Sequence, residues 1–446
     1  MKSYVCVLCG YIHTGEEAPE SCPVCGAPAG EFTLQEEEPA KKSGEAMNVV
    51  IIGSGVAGLS CAKEIRNHSA EANITLISKE TLLPYSRVSL TRYLAGEAKR
   101  ESLSIHSQEY YLEKRINLIL GKEAAEIKKD SKEVQLNDGT LIPYDKLVIA
   151  SGAQPFVPPI TGKELPNVIT VRTLEDADYL LDQIQQLESC ICIGGGILGL
   201  ETAGAIAKRG IKVTLLESAK WLMPRQLNKK GALLLKEYLG DIGIEVREGI
   251  VIEEIIGKEE CEGIRLSTGE ILPAKLVIVT AGVRPETQLA GKAGIVINKG
   301  ITVNNNMETS EANIYAAGDV SEHAGILYGL WKVAQMQGEV AAQNILGRNA
   351  EFEGVPMSTI LKVLGLDTFS IGEFLPEEGE FSVYEKELPG QYVLFVLREN
   401  KITGSIVMGD KTLPMKIKKA VETGSEFPAQ LYDNADKIIE KLNQGI

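Results

Sequence analysis

Twice in this chain a short apolar run ends in three glycines spaced G-x-G-x-x-G and passes straight into a helix-forming stretch. The first is Asn48-Val-Val-Ile-Ile-Gly53-Ser-Gly55-Val-Ala-Gly58, with a helix expected over 57–67. The second is Cys190-Ile-Cys-Ile-Gly194-Gly-Gly196-Ile-Leu-Gly199. In such a loop the first glycine makes the turn, the second lets a ligand approach the backbone, and the third lets helix meet strand. The helix start then presents unpaired N–H groups to a pyrophosphate. Each loop is followed by a further strand, at 73–78 and at 213–217. One such fingerprint is weak. Two, each with strand, helix and second strand, predict an α/β chain with two Rossmann-like dinucleotide-binding domains.

An acid at the end of the second strand holds a ribose. Glu217 fills that place after the second fingerprint. Its carboxylate suits a ribose 2′-OH and repels a 2′-phosphate, so NADH is expected over NADPH, although Lys220 and Arg225 soften the preference. After the first fingerprint the corresponding candidate is Glu80, for which a plain surface role stays open.

Eight cysteines are present, and four fall in the first 25 residues as Cys6-Val-Leu-Cys9-Gly10 and Cys22-Pro-Val-Cys25-Gly26. Each C-x-x-C turn aims two thiolates at one ion, and the glycine permits a tight turn whose amides face sulfur. Four thiolates make a tetrahedral metal site, and spacing alone leaves iron and zinc open.

A length of 446 residues suggests two to four domains. A cysteine-dense unit (1–35) and a polar linker (36–46) come first. A first dinucleotide-binding part (47–155), a second dinucleotide-binding domain inserted in it (156–280) and a return to the first (281–352) follow. The chain ends in a small α+β domain (353–446), with strands expected at 360–374, 381–385 and 392–408 and helices at 416–423 and 434–442. The net charge of −15 makes nucleic acid and anionic lipid poor partners. No stretch approaches bilayer length. The start, Met1-Lys2-Ser3-Tyr4-Val5-Cys6, lacks a signal-type apolar segment, so a cytoplasmic protein is expected.

Residues 4–26, from Tyr4-Val-Cys-Val-Leu-Cys-Gly-Tyr11 through Pro19 to Cys-Pro-Val-Cys-Gly26, closely resemble the rubredoxin-like domain of rubrerythrins, with Phe32 completing an aromatic cluster with Tyr4 and Tyr11. That resemblance implies a one-electron iron held by Cys6, Cys9, Cys22 and Cys25, with zinc as the alternative. Glu80-Thr-Leu-Leu-Pro84-Tyr85-Ser-Arg87 resembles the E-x-x-x-P-Y-x-R segment of rubredoxin- and ferredoxin-reductase flavoproteins. Residues 144–155, containing Gly152, and 280–285, containing Gly282, resemble the crossovers between the FAD and NAD domains. Ile314-Tyr-Ala-Ala-Gly318-Asp319 resembles the segment whose Asp binds the flavin ribityl chain. Together they identify the chain as similar to the rubredoxin reductases of the FAD-dependent pyridine nucleotide-disulphide oxidoreductase superfamily. The resemblance implies cofactor-binding roles for Glu80, Arg87, Gly152, Asp319 and Gly282. It also places Arg92 and Glu201 near the flavin–nicotinamide contact, where an Arg92–Glu201 pair is expected.

Many relatives reduce disulfides or peroxides through a cysteine beside the flavin. Here the first fingerprint helix holds only Cys61, and the residues before Pro84 are Thr81-Leu82-Leu83. Cys61, Cys190 and Cys192 read as core residues. A hydride donor delivers two electrons and a four-thiolate iron takes one, so FAD is the natural converter. The resemblance implies rubredoxin, rubrerythrin, superoxide reductase or a flavodiiron protein as acceptors, in oxidative-stress defence. The linker would let the iron unit swing between flavin and acceptor. An NADH oxidase or peroxidase with a structural zinc ribbon is one rival reading, and an N-terminal unit serving only as a docking module is another. Whether the C-terminal domain shapes an acceptor site or a homodimer contact stays open.

Overall fold

A computed structural model describes residues 2–7, 10–23, 26–35, 46–363, 365–376 and 380–445. The expected linker therefore lies outside the described residues except for Ala46. The chain divides into two units. The first comprises Met1–Val88, Arg100–Gln154 and Val283–Val355, and the second comprises Ser89–Lys99, Pro155–Gly282 and Pro356–Ile446. The first unit is thus left at Gln154 and re-entered at Val283, the interruption that an inserted domain requires. The short segment Ser89–Lys99, expected with the FAD-binding part, belongs to the second unit.

In the first unit five parallel strands run in the order Ile314–Ala316, Lys146–Ile149, Asn48–Ile52, Asn73–Ser78, Ile116–Leu120. The central strands read as unbroken apolar runs because both faces of a parallel sheet are covered. The first fingerprint helix, Val56–His68, packs with the long helix Trp331–Ile345 in the same core. Contact is closest at Gly338, where an added Cβ would lie 2.2 Å from the Ala57 carbonyl oxygen. At the far end of the fingerprint helix the Arg66 guanidinium is buried. It donates to the carbonyls of Lys114 (2.7 Å), Ser69 (2.8 Å), Ala70 (2.8 Å), Ala72 (2.7 Å) and Arg115 (3.0 Å). The cation also suits the negative end of the helix dipole.

The N-terminal module, within the first unit, is an antiparallel sheet in the order Ile12–Gly15, Lys2–Cys6, Phe32–Gln35. Its core is Cys6, Cys22 and Ala27 with Tyr11 and Phe32 against them. Tyr4, expected in that cluster, instead sends its hydroxyl to the Glu16 carbonyl at 2.8 Å.

In the second unit another five-stranded parallel sheet has the order Val168–Ile169, Val277–Val279, Ser189–Ile193, Lys212–Leu216, Ile244–Arg247. The C-terminal part is a five-stranded antiparallel sheet, with helices Leu413–Thr423 and Ala435–Gln444 sharing its core. Two of the expected long strands are hairpins: 360–374 breaks at Gly365, and 392–408 breaks at Glu399-Asn400. Both turn residues of the second hairpin have positive φ, 48° and 63°, the geometry of a two-residue primed turn reached here without glycine. Among the described residues no helix is long and apolar enough to cross a membrane.

Arg66→Met leaves five carbonyls without their donor. The variant is expected to lose about 3 kcal/mol of unfolding free energy, read from the denaturant midpoint.

Candidate cofactor and electron-transfer site

The three glycines of the first fingerprint do three different jobs. Gly53 has φ +109°, and a Cβ there would lie 2.1 Å from the Ala150 carbonyl oxygen. A Cβ on Gly58 would lie 2.0 Å from the Gly53 oxygen, so the helix can approach the loop only with glycine. Gly55 faces open space, and no side chain caps the helix that starts after it. The helix's first N–H donors are thus available to a pyrophosphate, and that cradle fits a dinucleotide.

Around this cradle the first unit gathers other expected residues. Gly318 has φ +86°, and a Cβ on it would come 2.9 Å from the Ala57 Cβ, so the Asp319 loop meets the start of the fingerprint helix. The Gln337 side chain holds that loop. Its Oε1 accepts from the Gly318 N–H at 2.8 Å and from the Ser321 hydroxyl at 3.0 Å, while its Nε2 is buried with no acceptor among the described residues. Sequence reading missed Gln337; the two glutamines of Gln335-Met336-Gln337 in an otherwise apolar helical stretch were the available signal. Gly152 has φ +72°, and its carbonyl accepts from the Glu286 N–H at 2.9 Å.

The Glu80 segment folds onto itself. The Glu80 carboxylate is ion-paired with Arg87 and accepts from the Tyr85 hydroxyl at 2.7 Å, and Arg87 also donates to that hydroxyl at 3.2 Å. Glu80 and Arg87 are thus brought together as one hydrogen-bonded cluster, and a ribose at Glu80 would have to share the carboxylate with them.

In the second unit the same construction recurs. Gly194 has φ +111° beside the Thr280 carbonyl, Gly199 meets the Gly194 oxygen, and Gly196 faces open space at an uncapped helix start. Gly282, φ +102°, is also open. The Glu217 carboxylate is turned onto the loop. Its Oε2 accepts from the Gly195 N–H at 2.6 Å, and its Oε1 from the Ala219 N–H at 2.6 Å. Lys220 and Arg225 are exposed.

The expected Arg92–Glu201 pair is not formed. Glu201, on helix Ile197–Ala207, accepts from the Thr91 hydroxyl at 3.1 Å, and Arg92 pairs with Glu97 at 3.5 Å. Thr91 and Arg92 are successive residues of helix Leu90–Leu94. Neighbours on a helix point about 100° apart, so the face that meets Glu201 carries Thr91 and turns Arg92 away. Desolvation pushes the Glu201 carboxyl up to about 7, against the opposing effect of the Thr91 hydrogen bond. The group therefore changes charge near neutrality.

Cys61, Cys190, Cys192 and Cys261 are buried. Burial raises the Cys61 thiol far above its ordinary range, and the Cys261 thiol is raised by the same cause. The Cys192 thiol is raised by a hydrogen bond with the Cys190 thiol and by burial. Such thiols are poor nucleophiles.

The module's two knuckles match. Gly10 (φ +76°) donates to the Cys6 carbonyl at 2.8 Å, and Gly26 (φ +69°) to the Cys22 carbonyl at 2.7 Å. Cys6 and Cys22 then donate to Tyr11 and Ala27 carbonyls at 2.9 and 2.6 Å, and both cysteines are buried in one small cluster. Cys9 and Cys25 lie outside the described residues, and among those described no three metal-ligating side chains come together. The donor set, two thiols in one apolar cluster on matching turns, fits a soft metal ion.

Residues 47–338 match the pyridine nucleotide-disulphide oxidoreductase model, and the chain belongs to that family. Residues 4–33 match the rubredoxin-like domain of rubrerythrin, and residues 356–425 match the C-terminal domain of rubredoxin NAD+ reductase. The NADH-rubredoxin oxidoreductase of Clostridium acetobutylicum is 32% identical over 395 residues, covering 89% of this chain and 98% of that protein. The solved structure of NADH:rubredoxin oxidoreductase from the same organism aligns with a TM-score of 0.75 at 30% identity, over 89% of this chain and all of that one. The nitrite reductase [NAD(P)H] of Bacillus subtilis is 34% identical over 368 residues, covering 82% of this chain and 46% of that protein. This chain thus spans about half the length of the first curated relatives it matches.

Two outcomes follow from this geometry. Glu217→Ala removes the carboxylate expected on the NADH ribose. It should raise the KM for NADH roughly tenfold and narrow the NADH/NADPH preference in steady-state assays. A carboxyl raised in the folded state binds its proton more tightly there than when unfolded, so stability is lost as pH rises from its ordinary value through about 7. Glu201→Gln carries no such charge. Its unfolding free energy relative to the parent should therefore climb by roughly 1–3 kcal/mol between pH 5 and 8, measured by urea titration at each pH.

Proposed function

We propose that the chain is an NADH-dependent FAD reductase that delivers single electrons to a rubredoxin-type iron centre, its own and that of a separate acceptor protein. The observation that carries this reading is where the thiols lie. The described cysteines of residues 47–338 are buried in the body of the protein, while Cys6 and Cys22 sit on matching knuckles of a separate small module. A body without an accessible thiol is unsuited to disulfide exchange and suited to handing electrons on.

FAD supplies the exchange between a two-electron hydride donor and a one-electron iron. The cradle at Gly53, Gly55 and Gly58 would seat its pyrophosphate, and Asp319, carried on the loop that Gln337 pins, would hold the ribityl chain. Gly194, Gly196, Gly199 and Glu217 would bind NADH, with the Gly152 and Gly282 turns at the crossovers. Glu201, held by Thr91, is a group that can keep or release a proton near neutral pH at the nicotinamide. Arg92, turned from Glu201 and paired with Glu97, would add only charge to the neighbourhood, because a guanidinium does not give up its proton. Rubredoxin, rubrerythrin, superoxide reductase and a flavodiiron protein are the acceptor classes that fit, in a cytoplasmic oxygen or peroxide defence.

Anaerobic titration with NADH, followed in the visible spectrum, tests this reading. Two electrons for flavin and one for iron require about 1.5 NADH per chain, with bleaching of the ferric-thiolate absorption. An endpoint near about one NADH with only flavin bleaching would assign the module a zinc or a purely docking role.

A further inference from the structure

The module's first knuckle rests on the long helix Trp331–Ile345 of the same unit. The Trp331 indole N–H donates to the Gly10 carbonyl at 3.2 Å. Gly10 is buried, and a Cβ there would lie 2.3 Å from Gln335 Oε1 and 3.1 Å from Trp331 Cδ1. Among the described residues Gln335 Oε1 is buried without a hydrogen-bond donor, and the Gly10 Cα faces it, a place for a Cα–H···O contact that a side chain would block. Gly10 thus meets two demands at once, the left-handed turn after Cys9 and the close approach to the helix.

Trp331, Gln335 and Gly338 stand at i, i+4 and i+7 and so form one helix face. Gly338 is the residue packed on the Ala57 carbonyl, at the start of the first fingerprint helix. The knuckle and the fingerprint therefore share one stripe of one helix, with about 10 Å of helical rise between Trp331 and Gly338.

We infer that Trp331 and Gln335 form a docking seat for a C-x-x-C-G knuckle, and that the chain's own module is its resident occupant. The seat is specific to the first knuckle and holds the module's metal side toward the flavin-binding half. Electrons then pass in the docked state, and a swing of the linker is not needed to reach the flavin. An external four-cysteine carrier meets this seat already filled.

This inference rests on the proposed function for its purpose but not for its test. Amide hydrogen exchange is measured on the full chain with FAD and module metal in place and no NADH added, so a redox-silent module would not affect the result. Gly10→Asn keeps a residue that tolerates positive φ and places a side chain against Gln335. Retention of the metal is checked by absorbance and metal analysis. Exchange in residues 328–337 is expected to rise about two- to tenfold, while Gly26→Asn, the same change in the second knuckle, leaves it at the parent level. Trp331→Phe keeps an aromatic ring and removes the N–H, and should speed exchange in residues 2–12 by a similar or smaller factor. Parent-level exchange in both Gly10→Asn and Trp331→Phe would overturn the seat. An equal rise with Gly26→Asn would overturn its assignment to the first knuckle.

Discussion

The contact of Gly338 with the Ala57 carbonyl is the constraint on which the first unit depends. Two helices meet there at backbone distance, so the long helix becomes a ruler laid against the first turn of the fingerprint helix. From that one contact the long helix positions three things: Gln337 pins the loop carrying Asp319, Gly338 fixes the depth of the fingerprint helix, and Trp331 with Gln335 reach the module. A side chain at Gly338 would separate the helices and move all three together. Overpacking in such a place costs on the order of 1–3 kcal/mol, and here the displacement would matter more than the energy.

The second unit repeats the glycine solution with a different use of its acid. Glu217 spends both oxygens on backbone N–H groups, one of them in the fingerprint loop, and so stands rigidly at the mouth of its cradle. Glu80 is tied instead to side chains of the following segment, Tyr85 and Arg87. The E-x-x-x-P-Y-x-R spacing is therefore a folded unit in its own right, in which Tyr85 and Arg87 return to the acid. The two ends of strand differ in rigidity: one acid is set by backbone, the other by a salt-linked cluster that a ligand must join.

What was legible in the sequence was whatever local backbone chemistry enforces. A glycine that must take positive φ and another that must let a helix approach leave a readable spacing, so both fingerprints, their helices and the strand Asn73–Ser78 were found where expected. Cysteines alternating with isoleucines in a strand read correctly as core. The errors concern direction and distance. Arg92 and Thr91 are adjacent in sequence, and only the helix phase decides which meets Glu201. Gln337 acts on Gly318 and Ser321, 19 and 16 positions back, with only its neighbouring glutamine as a hint, and the Trp331 seat acts on Gly10, 321 positions back, with nothing local to mark it. The hairpin at Glu399-Asn400 was hidden because its turn uses no glycine.

The distribution of sulfur joins these observations into one argument about chemistry. A flavoprotein that works on disulfides must keep a thiol accessible and easily ionised, whereas the body's cysteines are buried, and Cys61, Cys192 and Cys261 are pushed toward the neutral form. The chain instead places thiols in a module too small to be stable on hydrophobic burial alone, since among its described residues the core cluster is five side chains, two of them cysteine. Such a module gains stability from a bound ion, so metal binding and folding are the same event there. The glycine that closes its first knuckle is also the residue that fits the seat on the flavin-binding half. One residue thus serves the metal turn and the docking contact, and the module cannot lose its turn geometry without also losing its place.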